Sequence, residues 1–172
     1  FAGLSGTSVT PENDVALLSE GLGTGFELVA RSGSPVPGVA NAVFQDFPSG
    51  ITAYNNVGQI AFGARISGPG ISDVNDEGIW SQNRVGTLQL ILREGMEIDV
   101  DDGSGFDLRT VSAVNPLRIH GFNDRGQIVF ATWFSDGTSG IFVSNVAAVP
   151  EPTNWIQLLL AGIAFAGFQR WA

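Results

Sequence analysis

The sequence predicts an all-β fold of antiparallel tandem repeats, and three observations support this prediction. Glycine is abundant, with 23 residues among 172, whereas charged residues make up only 15% of the chain. Short segments that alternate apolar and polar residues are separated by Gly-containing turn motifs. The sequence also repeats itself at an interval of about 62 residues, and repeats of supersecondary units are the signature of propellers and other stacked arrays. Strands joined by tight turns are typical of such a composition.

The repeat is visible in an alignment without gaps, in which residues 13–33 match residues 75–95. Identical positions are Asn13/Asn75, Asp14/Asp76, Ser19/Ser81, Leu28/Leu90, Arg31/Arg93 and Gly33/Gly95. A second block, residues 51–67, matches residues 119–135 at a slightly longer interval. Both copies of this block contain an Asn-x-x-Gly turn, which begins at Asn55 in one and at Asn123 in the other. Gly78-Ile79-Trp80 corresponds to Gly140-Ile141-Phe142.

We therefore assign residues 1–146 to a β-repeat body, with units at about 13–74 and 75–136 and a partial unit at 137–146. In the second unit, strands are predicted in order at residues 78–81, 88–92, near 108–114 and at 127–134. Leu88, Leu90 and Leu92 show the period of two expected for a strand. Four short strands per unit predict β-propeller-like blades or another stacked antiparallel repeat.

The number of units leads to an expectation about the full protein. A closed propeller has about four to eight blades, whereas this body holds two complete units. We expect either a truncated array with further units upstream or a small stack of sheets. The chain begins at Phe1 and lacks a cationic segment followed by an apolar one, so we also expect a signal peptide to lie outside this sequence.

Residues 13–146 resemble the choice-of-anchor tandem-repeat proteins, which carry an Asn-x-x-Gly-x-x-x-Phe motif. The matching segments are Asn55-Asn56-Val57-Gly58-Gln59-Ile60-Ala61-Phe62 and Asn123-Asp124-Arg125-Gly126-Gln127-Ile128-Val129-Phe130. This resemblance implies a repeat body that is joined to one of several kinds of C-terminal anchor.

The charge of the chain excludes several classes of function. The formal net charge is −9, and all eight cationic side chains are arginines. An acidic protein is a poor match for nucleic acid or for anionic lipid surfaces, since both need a cationic face. The absence of cysteine excludes disulfides and thiolate metal sites.

The last residues form a separate segment with its own organisation. Residues 147–154 are a Pro-rich spacer that contains Pro150-Glu151-Pro152, and residues 155–172 contain an apolar run that ends near Arg170. Proline fixes φ and favours an extended chain in the residue before it, so the spacer is predicted to be stiff. The apolar run predicts a C-terminal hydrophobic helix with a positive flank on one side.

This tail resembles the PEP-CTERM sorting signal of Gram-negative bacteria. The residues that match the motif are Pro150, Glu151, Pro152 and Arg170, together with the apolar run between them. The resemblance implies export, anchoring in the inner membrane and processing by an exosortase-type enzyme, followed by display at the cell surface or release. It also implies a setting of exopolysaccharide.

A second interpretation of the tail remains open. As a helix, residues 155–168 would be about 21 Å long, which is shorter than the ~30 Å hydrocarbon layer of a membrane. The same residues could therefore form a C-terminal helix that packs on the body of the protein.

Two sets of polar residues are candidate sites. The acidic loop at residues 99–107 offers Asp99, Asp101, Asp102 and Asp107 as weak candidates for calcium ligands, although Asp-rich turns more often bond their own backbone. We predict no other cofactor. His120 is the only histidine, and Thr52 occupies the corresponding position in the other unit, so we expect a structural role for it.

Two further residue types recur with the repeat. Arg31 and Arg93 each precede a glycine turn. An arginine there could grip a carboxylate or sugar or, more commonly, pair with an acid of the neighbouring unit or cap strand carbonyls. Trp80 and Trp133 are either core residues or platforms for stacking sugars, and the replacement of Trp80 by Phe142 in the next unit favours the core.

Together these observations predict an exported, envelope-anchored repeat protein without catalytic activity. The alternatives are a carbohydrate-binding module, indicated by the Trp residues and Asp-rich loops, and a propeller-type glycan hydrolase or lyase. A hydrolase would need two carboxylates facing one cleft at about 5–10 Å.

Overall fold

The computed structural model describes residues 1–20, 25–48, 52–101, 103–116 and 121–144. Within these ranges the fold is all-β and every strand pairing is antiparallel, as the sequence predicts. The spacer and the predicted C-terminal helix at residues 155–172 lie outside the described residues. In the described part of the chain, no helix has the length and apolar character to cross a membrane.

The strands are numbered in chain order. They are β1 Ala2–Gly3, β2 Val15–Ser19, β3 Glu27–Arg31, β4 Val43–Asp46, β5 Thr52–Tyr54, β6 Ile60–Ser67, β7 Glu77–Gln82, β8 Leu88–Arg93, β9 Glu97–Asp99, β10 Leu108–Pro116, β11 Ile128–Phe134 and β12 Ser139–Ser144. The four strands predicted for the second unit correspond to β7, β8, β10 and β11. The alternation rule missed β9 in this unit, because three residues are too few to show a period.

The described strands form three sheets. The first sheet has the order β1-β2-β3, the second β4-β6-β7-β8 with β5 paired to β6, and the third β12-β11-β10-β9. Each predicted sequence unit is divided between two sheets. In the unit at 75–136, β7 and β8 complete the second sheet, whereas β10 and β11 belong to the third. The sheets are therefore out of phase with the units read from the sequence.

Asn-x-x-Gly turns connect several of these strands. In the turns that begin at Asn55, Asn83 and Asn123, the amide of the glycine donates to the carbonyl oxygen of the asparagine at 3.2, 3.0 and 2.9 Å. The glycines have φ of 80°, 81° and 81°, a conformation that other residues rarely adopt. This requirement explains why glycine recurs at the fourth position of each turn.

Two hydrophobic clusters hold the sheets together. The first cluster joins residues of the first and second sheets, including Leu17, Ala30, Phe44, Phe62 and Trp80. The second cluster joins residues of the second and third sheets, including Ile79, Leu92, Val111, Phe130 and Phe134. The second sheet thus buries both of its faces. This is why β6 carries an almost continuous apolar run rather than an alternating one.

Residues that correspond in the sequence make the same backbone hydrogen bonds. Gly33 N donates to Phe44 O at 2.7 Å, and Gly95 N donates to Val111 O at 2.9 Å. Ser32 N donates to Val15 O at 2.9 Å, and the corresponding Glu94 N donates to Glu77 O at 3.0 Å. The bonds of Gly33 and Gly95 tie the end of one sheet to a strand of the next sheet, whereas the bonds of Ser32 and Glu94 lie within one sheet.

Candidate functional site

The recurring arginines cap the loops in front of β2 and β7. Arg31 Nε donates to the carbonyl oxygen of Asn13 at 2.7 Å, and Arg31 Nη2 donates to Asn13 Oδ1 at 3.0 Å. Arg93 Nη1 donates to the carbonyl oxygen of Asn75 at 2.6 Å. Of the roles considered for these residues, the geometry supports the capping of carbonyls, although these belong to the loops before β2 and β7 and not to the strands.

The asparagines that receive these bonds complete the two loops in the same way. Asn13 Oδ1 accepts the amide of Thr10 at 2.9 Å, and Asn75 Oδ1 accepts the amide of Ser72 at 2.8 Å. The identical Asn and Arg pairs found in the sequence are therefore explained by loop structure, and no ligand is needed to account for them.

The two tryptophans have different environments. Trp80 is fully buried, its ring packs against Phe44 and Phe62, and its Nε1 donates to the carbonyl oxygen of Pro37 at 3.1 Å. Trp80 is therefore a core residue. Trp133 on β11 has 43% of its surface exposed and remains available for contact with another molecule.

The acidic loop binds its own backbone. Asp99 Oδ1 accepts the amides of Asp101 and Asp107 at 3.1 and 2.9 Å, and Asp101 Oδ1 accepts the amide of Gly103 at 2.8 Å. Asp102 lies outside the described residues. Among the residues that the structure describes, no group of three or more His, Cys, Asp or Glu side chains is arranged to hold a metal ion. The calcium site therefore gains no support from this geometry.

Arg109 is the centre of a polar network that the sequence did not indicate. Its Nη2 lies 2.6 Å from Asp107 Oδ2, and its Nη1 donates to Thr138 Oγ1 at 2.8 Å and lies 3.6 Å from Asp136 Oδ2. Hydrogen bonding to Arg109 lowers the pKa of Asp107. The Thr138 hydroxyl, which donates at 2.6 Å, is the main cause of a lowered pKa at Asp136. Both carboxylates are held in the charged form.

A cleft beside the first and second sheets contains two more carboxylates. Its lining residues are Pro11, Glu12, Val15, Gly33, Val43, Phe44, Gln45, Asp46 and Ser67. A hydrogen bond from the Thr10 side chain lowers the pKa of Glu12, whereas a general acid of a glycosidase needs a raised pKa. Asp46 Oδ1 accepts the amide of Phe47 at 2.7 Å. Glu12 therefore lacks the raised pKa of a glycosidase general acid.

Two of the Asn-x-x-Gly turns lie side by side and are joined by hydrogen bonds. Asn56 donates to Asp124 through its amide N at 2.7 Å and through Nδ2 at 3.0 Å. Asn55 Nδ2 donates to the carbonyl oxygen of Asn123 at 3.0 Å. The recurrence of the turn in the sequence was the signal for this ladder, because equivalent turns of stacked units come into register.

Glu94 is a buried acid that occupies the position of Ser32 in the other repeat. Its Oε2 accepts the amide of Glu77 at 3.3 Å, and Ser32 Oγ accepts the amide of Val15 at 3.1 Å. Burial raises the pKa of Glu94 above its usual value. Since the folded protein binds this proton more tightly than the unfolded chain, the contribution of Glu94 to stability is greatest in acid. It is lost as pH rises through the folded pKa.

We therefore expect Glu94→Gln to stabilise the protein at about pH 7, where the charge of Glu94 is unfavourable, and to have little effect at about pH 4. The amide oxygen of glutamine can still accept the bond from Glu77. Urea unfolding at the two pH values measures the difference. Glu97→Gln, at an exposed position of β9, is the control and is expected to show no such change. Equal effects of Glu94→Gln at both pH values would contradict the assignment.

Several of the predicted site residues cannot be placed. His120, Pro150, Glu151, Pro152 and Arg170 lie outside the described residues. The predictions that concern them depend on the sequence alone.

Comparison with known proteins identifies a family for this chain. No curated protein and no solved structure matches it. Residues 1–156 match a protein family described as a family of unknown function, DUF7453. The match includes all the described strands and extends through the Pro-Glu-Pro motif. The chain therefore belongs to the DUF7453 family.

Proposed function

We propose that this chain is an exported, envelope-anchored surface or matrix protein without catalytic activity, carrying a PEP-CTERM sorting signal. The observation that carries the proposal is the order of features in the tail, where Pro150-Glu151-Pro152 precedes an apolar run and Arg170. An exosortase-type enzyme and the inner membrane are its proposed partners, and exopolysaccharide is its proposed surroundings. Nucleic acid is not a proposed partner.

The body is proposed to be a tandem array of propeller-like blades. Three features support this proposal: the adjacent order of β6, β7 and β8, the stacking of turns at Asn55 and Asn123, and the repeated bonds of Gly33 and Gly95. In such an array the strand that ends one blade leads into the first strand of the next. The chain follows this path from β3 to β4 and from β8 toward β10.

The chemistry of the recurring polar residues supports a structural rather than a catalytic role. Arg31 and Arg93 cap backbone carbonyls, and Asn13 and Asn75 accept backbone amides. Repeated side chains that satisfy their own loops can be present in every unit without a substrate. Such internal bonding of repeated side chains is expected in a repeat protein whose role is to present an extended surface.

The sorting proposal is tested in cells of a bacterium that has an exosortase. The full gene is expressed with an affinity tag in the body, and Pro150, Glu151 and Pro152 are all replaced by alanine in the variant. The unaltered protein is expected in the envelope fraction, and mass spectrometry should find its C-terminus shortened near the motif. The variant should keep residues 155–172 and lose essentially all processing.

The matched control replaces Thr153 and Asn154, which follow the motif, by alanine, and it should be processed normally. Deletion of the exosortase gene should reproduce the effect of the triple variant. Recovery of the unaltered protein in the cytosol with an intact C-terminus would overturn the proposal and would favour a tail that packs on the body.

Carbohydrate binding is a second candidate, and the exposure of Trp133 is the observation that favours it. Exposed aromatic rings on rigid strands are suitable platforms for sugar stacking. A glycan array tests this candidate directly, with Trp133→Ala as the comparison. Signals that are lost in the variant would support it, and an array without signals would count against it.

A further inference from the structure

The two ends of the sheet stack expose apolar faces that are buried elsewhere in the same chain. The face of the third sheet that points away from the second sheet carries Val129, Ala131 and Trp133 on β11, and Ile141 and Val143 on β12. We call it the trailing face. Ile141 is 72% exposed and Val143 is 60% exposed. Cross-strand pairing brings Ile141 beside Ala131 and Val143 beside Val129, so the face is continuous.

The opposite end of the stack has a second apolar face. The face of the first sheet that points away from the second sheet carries Leu18, Phe26 and Leu28, and we call it the leading face. Phe26 is 74% exposed and Leu28 is 60% exposed. Leu18 pairs with Leu28 across β2 and β3. Side chains of this type are rarely grouped on a surface without a partner.

Both faces have buried counterparts in the second sheet. The positions that correspond to Val129, Ile141 and Val143 are Ala61, Ile79 and Ser81, and all three are buried. They lie on the side of the second sheet that the third sheet covers, where Ala61 and Ile79 are part of the second hydrophobic cluster. The trailing face is therefore equivalent to the side of the second sheet that packs against the third sheet.

The leading face corresponds to one side of a different internal interface, the one between the first and second sheets. Its residues Leu18, Phe26 and Leu28 align with Trp80, Leu88 and Leu90. In the second sheet, Trp80 is fully buried and belongs to the first hydrophobic cluster. Leu88 and Leu90 pack against the same cluster, which joins the second sheet to the first. The internal interfaces therefore pair a trailing-type face with a leading-type face.

We propose that copies of this chain associate head to tail, with the trailing face of one copy packed on the leading face of the next. This contact would pair the same two types of face that meet between the first and second sheets and between the second and third sheets. It pairs two different faces, so it belongs to the heterologous class that produces rings or open filaments. The proposal goes beyond the sorting function, because it concerns assembly of the body and not the tail.

Within residues 1–172 the other candidate occupant is the apolar run at residues 155–168. One tail can cover at most one face, whereas the structure has two exposed faces that complement each other. A second copy accounts for both faces with one type of contact. The tail is therefore kept as an alternative outcome of the test.

The absence of cysteine allows a clean cross-linking experiment with the full chain in detergent. Two single variants are made, Leu28→Cys on the leading face and Ile141→Cys on the trailing face. A short bis-maleimide is added to each variant separately and then to a mixture of the two variants. We expect a cross-linked dimer in the mixture and little in either variant alone. Val74→Cys, at a loop position that is 69% exposed, is the control and should not cross-link in any combination.

A second measurement tests the affinity of the same contact. Leu28→Asp places a charge at the centre of the leading face and should weaken self-association in sedimentation experiments at least about tenfold, because an unpaired carboxylate is costly to bury. Circular dichroism should show an unchanged fold, since Leu28 is exposed. Mixing Leu28→Asp with Ile141→Asp should restore a dimer and nothing larger, because each variant keeps one intact face.

Three results would overturn the proposal. Cross-linking of Leu28→Cys with itself, or of Ile141→Cys with itself, would show contacts between identical faces. A single-copy mass for the unaltered chain at all concentrations would show that copies do not associate. If the thiol of the Ile141→Cys variant were protected from maleimide in such single copies, the trailing face would be assigned to the chain's own tail.

Discussion

Replacing Trp80 with alanine is expected to lower the free energy of unfolding by about 3–5 kcal/mol, as removal of large buried aromatic side chains does in other proteins. The side chain is fully buried between the first and second sheets. Its ring meets Phe44 edge to face at a centroid distance of 5.2 Å and stacks on Phe62 at 6.5 Å. Because the free energy of unfolding of a native protein is about 5–15 kcal/mol, this loss is a large fraction of the total stability.

The hydrogen bond of Trp80 gives the experiment a graded comparison. Trp80→Phe keeps an aromatic ring but removes the Nε1 donor to Pro37 O, and should cost about 1–3 kcal/mol. Phe142 occupies the corresponding position of β12, so the fold accepts phenylalanine there. Trp133→Ala, on the exposed side of β11, is the control and should cost no more than about 1 kcal/mol. Urea unfolding followed by circular dichroism measures all three, and equal losses for Trp80→Ala and Trp133→Ala would contradict the burial.

The sequence predicts the type of fold because strands leave local signals. The alternation of Leu88, Leu90 and Leu92 marks the position of β8, although a register shift puts Leu92 in the second cluster while Leu88 and Leu90 pack against the first. The Asn-x-x-Gly motif at Asn123 marks the turn that precedes β11. A glycine that must adopt positive φ can be recognised from its neighbours alone. These are properties of short segments and need no knowledge of what lies across the sheet.

The division of the repeats into sheets could not be predicted in this way. A tandem repeat shows its period in the sequence but not the residue at which each structural unit begins. The strands predicted for the unit at 75–136 were therefore assigned to one unit, although they belong to two sheets. Pairing across long distances decides the boundary instead, and β7 joins β6 of the preceding unit through contacts such as Phe62 with Trp80. The local pattern contains no information about this choice of partner.

The candidate site residues also divide into those that a local or repeated sequence pattern reveals and those that only long-range contacts bring together. The recurrence of Arg31 and Arg93 is visible in the sequence, and backbone capping was among their predicted roles. The network of Arg109 with Asp107, Asp136 and Thr138 was missed, because most of its members are distant in the sequence and recur in no other unit. The bond between Asn56 and Asp124 was missed for another reason: the recurrence of the turn shows that the two turns are equivalent, but not that they lie side by side.

The second large effect is expected at Gly78, where alanine should cost about 1–3 kcal/mol through overpacking. A Cβ atom at Gly78 would lie 2.8 Å from Trp80 Cη2 and 2.9 Å from the carbonyl oxygen of Leu92. The ring of Trp80 thus covers the glycine two residues before it. Gly140 has the same relation to Phe142, whose Cε2 would lie 2.7 Å from a Cβ atom. This contact gives a physical reason for the repeated Gly-Ile-aromatic sequence.

A double-mutant cycle separates this contact from other costs of the substitution. In the Trp80→Ala background the ring is absent, so Gly78→Ala should become less costly, with a coupling energy of at least about 0.5 kcal/mol. Gly137→Ala is the control. Its φ of +85° makes alanine unfavourable, but no atom lies within 4 Å of the added Cβ, so its cost should be the same in both backgrounds. Strict additivity of Gly78→Ala and Trp80→Ala would show that the clash with Leu92 O dominates. A coupled result would show that each glycine of the motif is required by the aromatic ring above it.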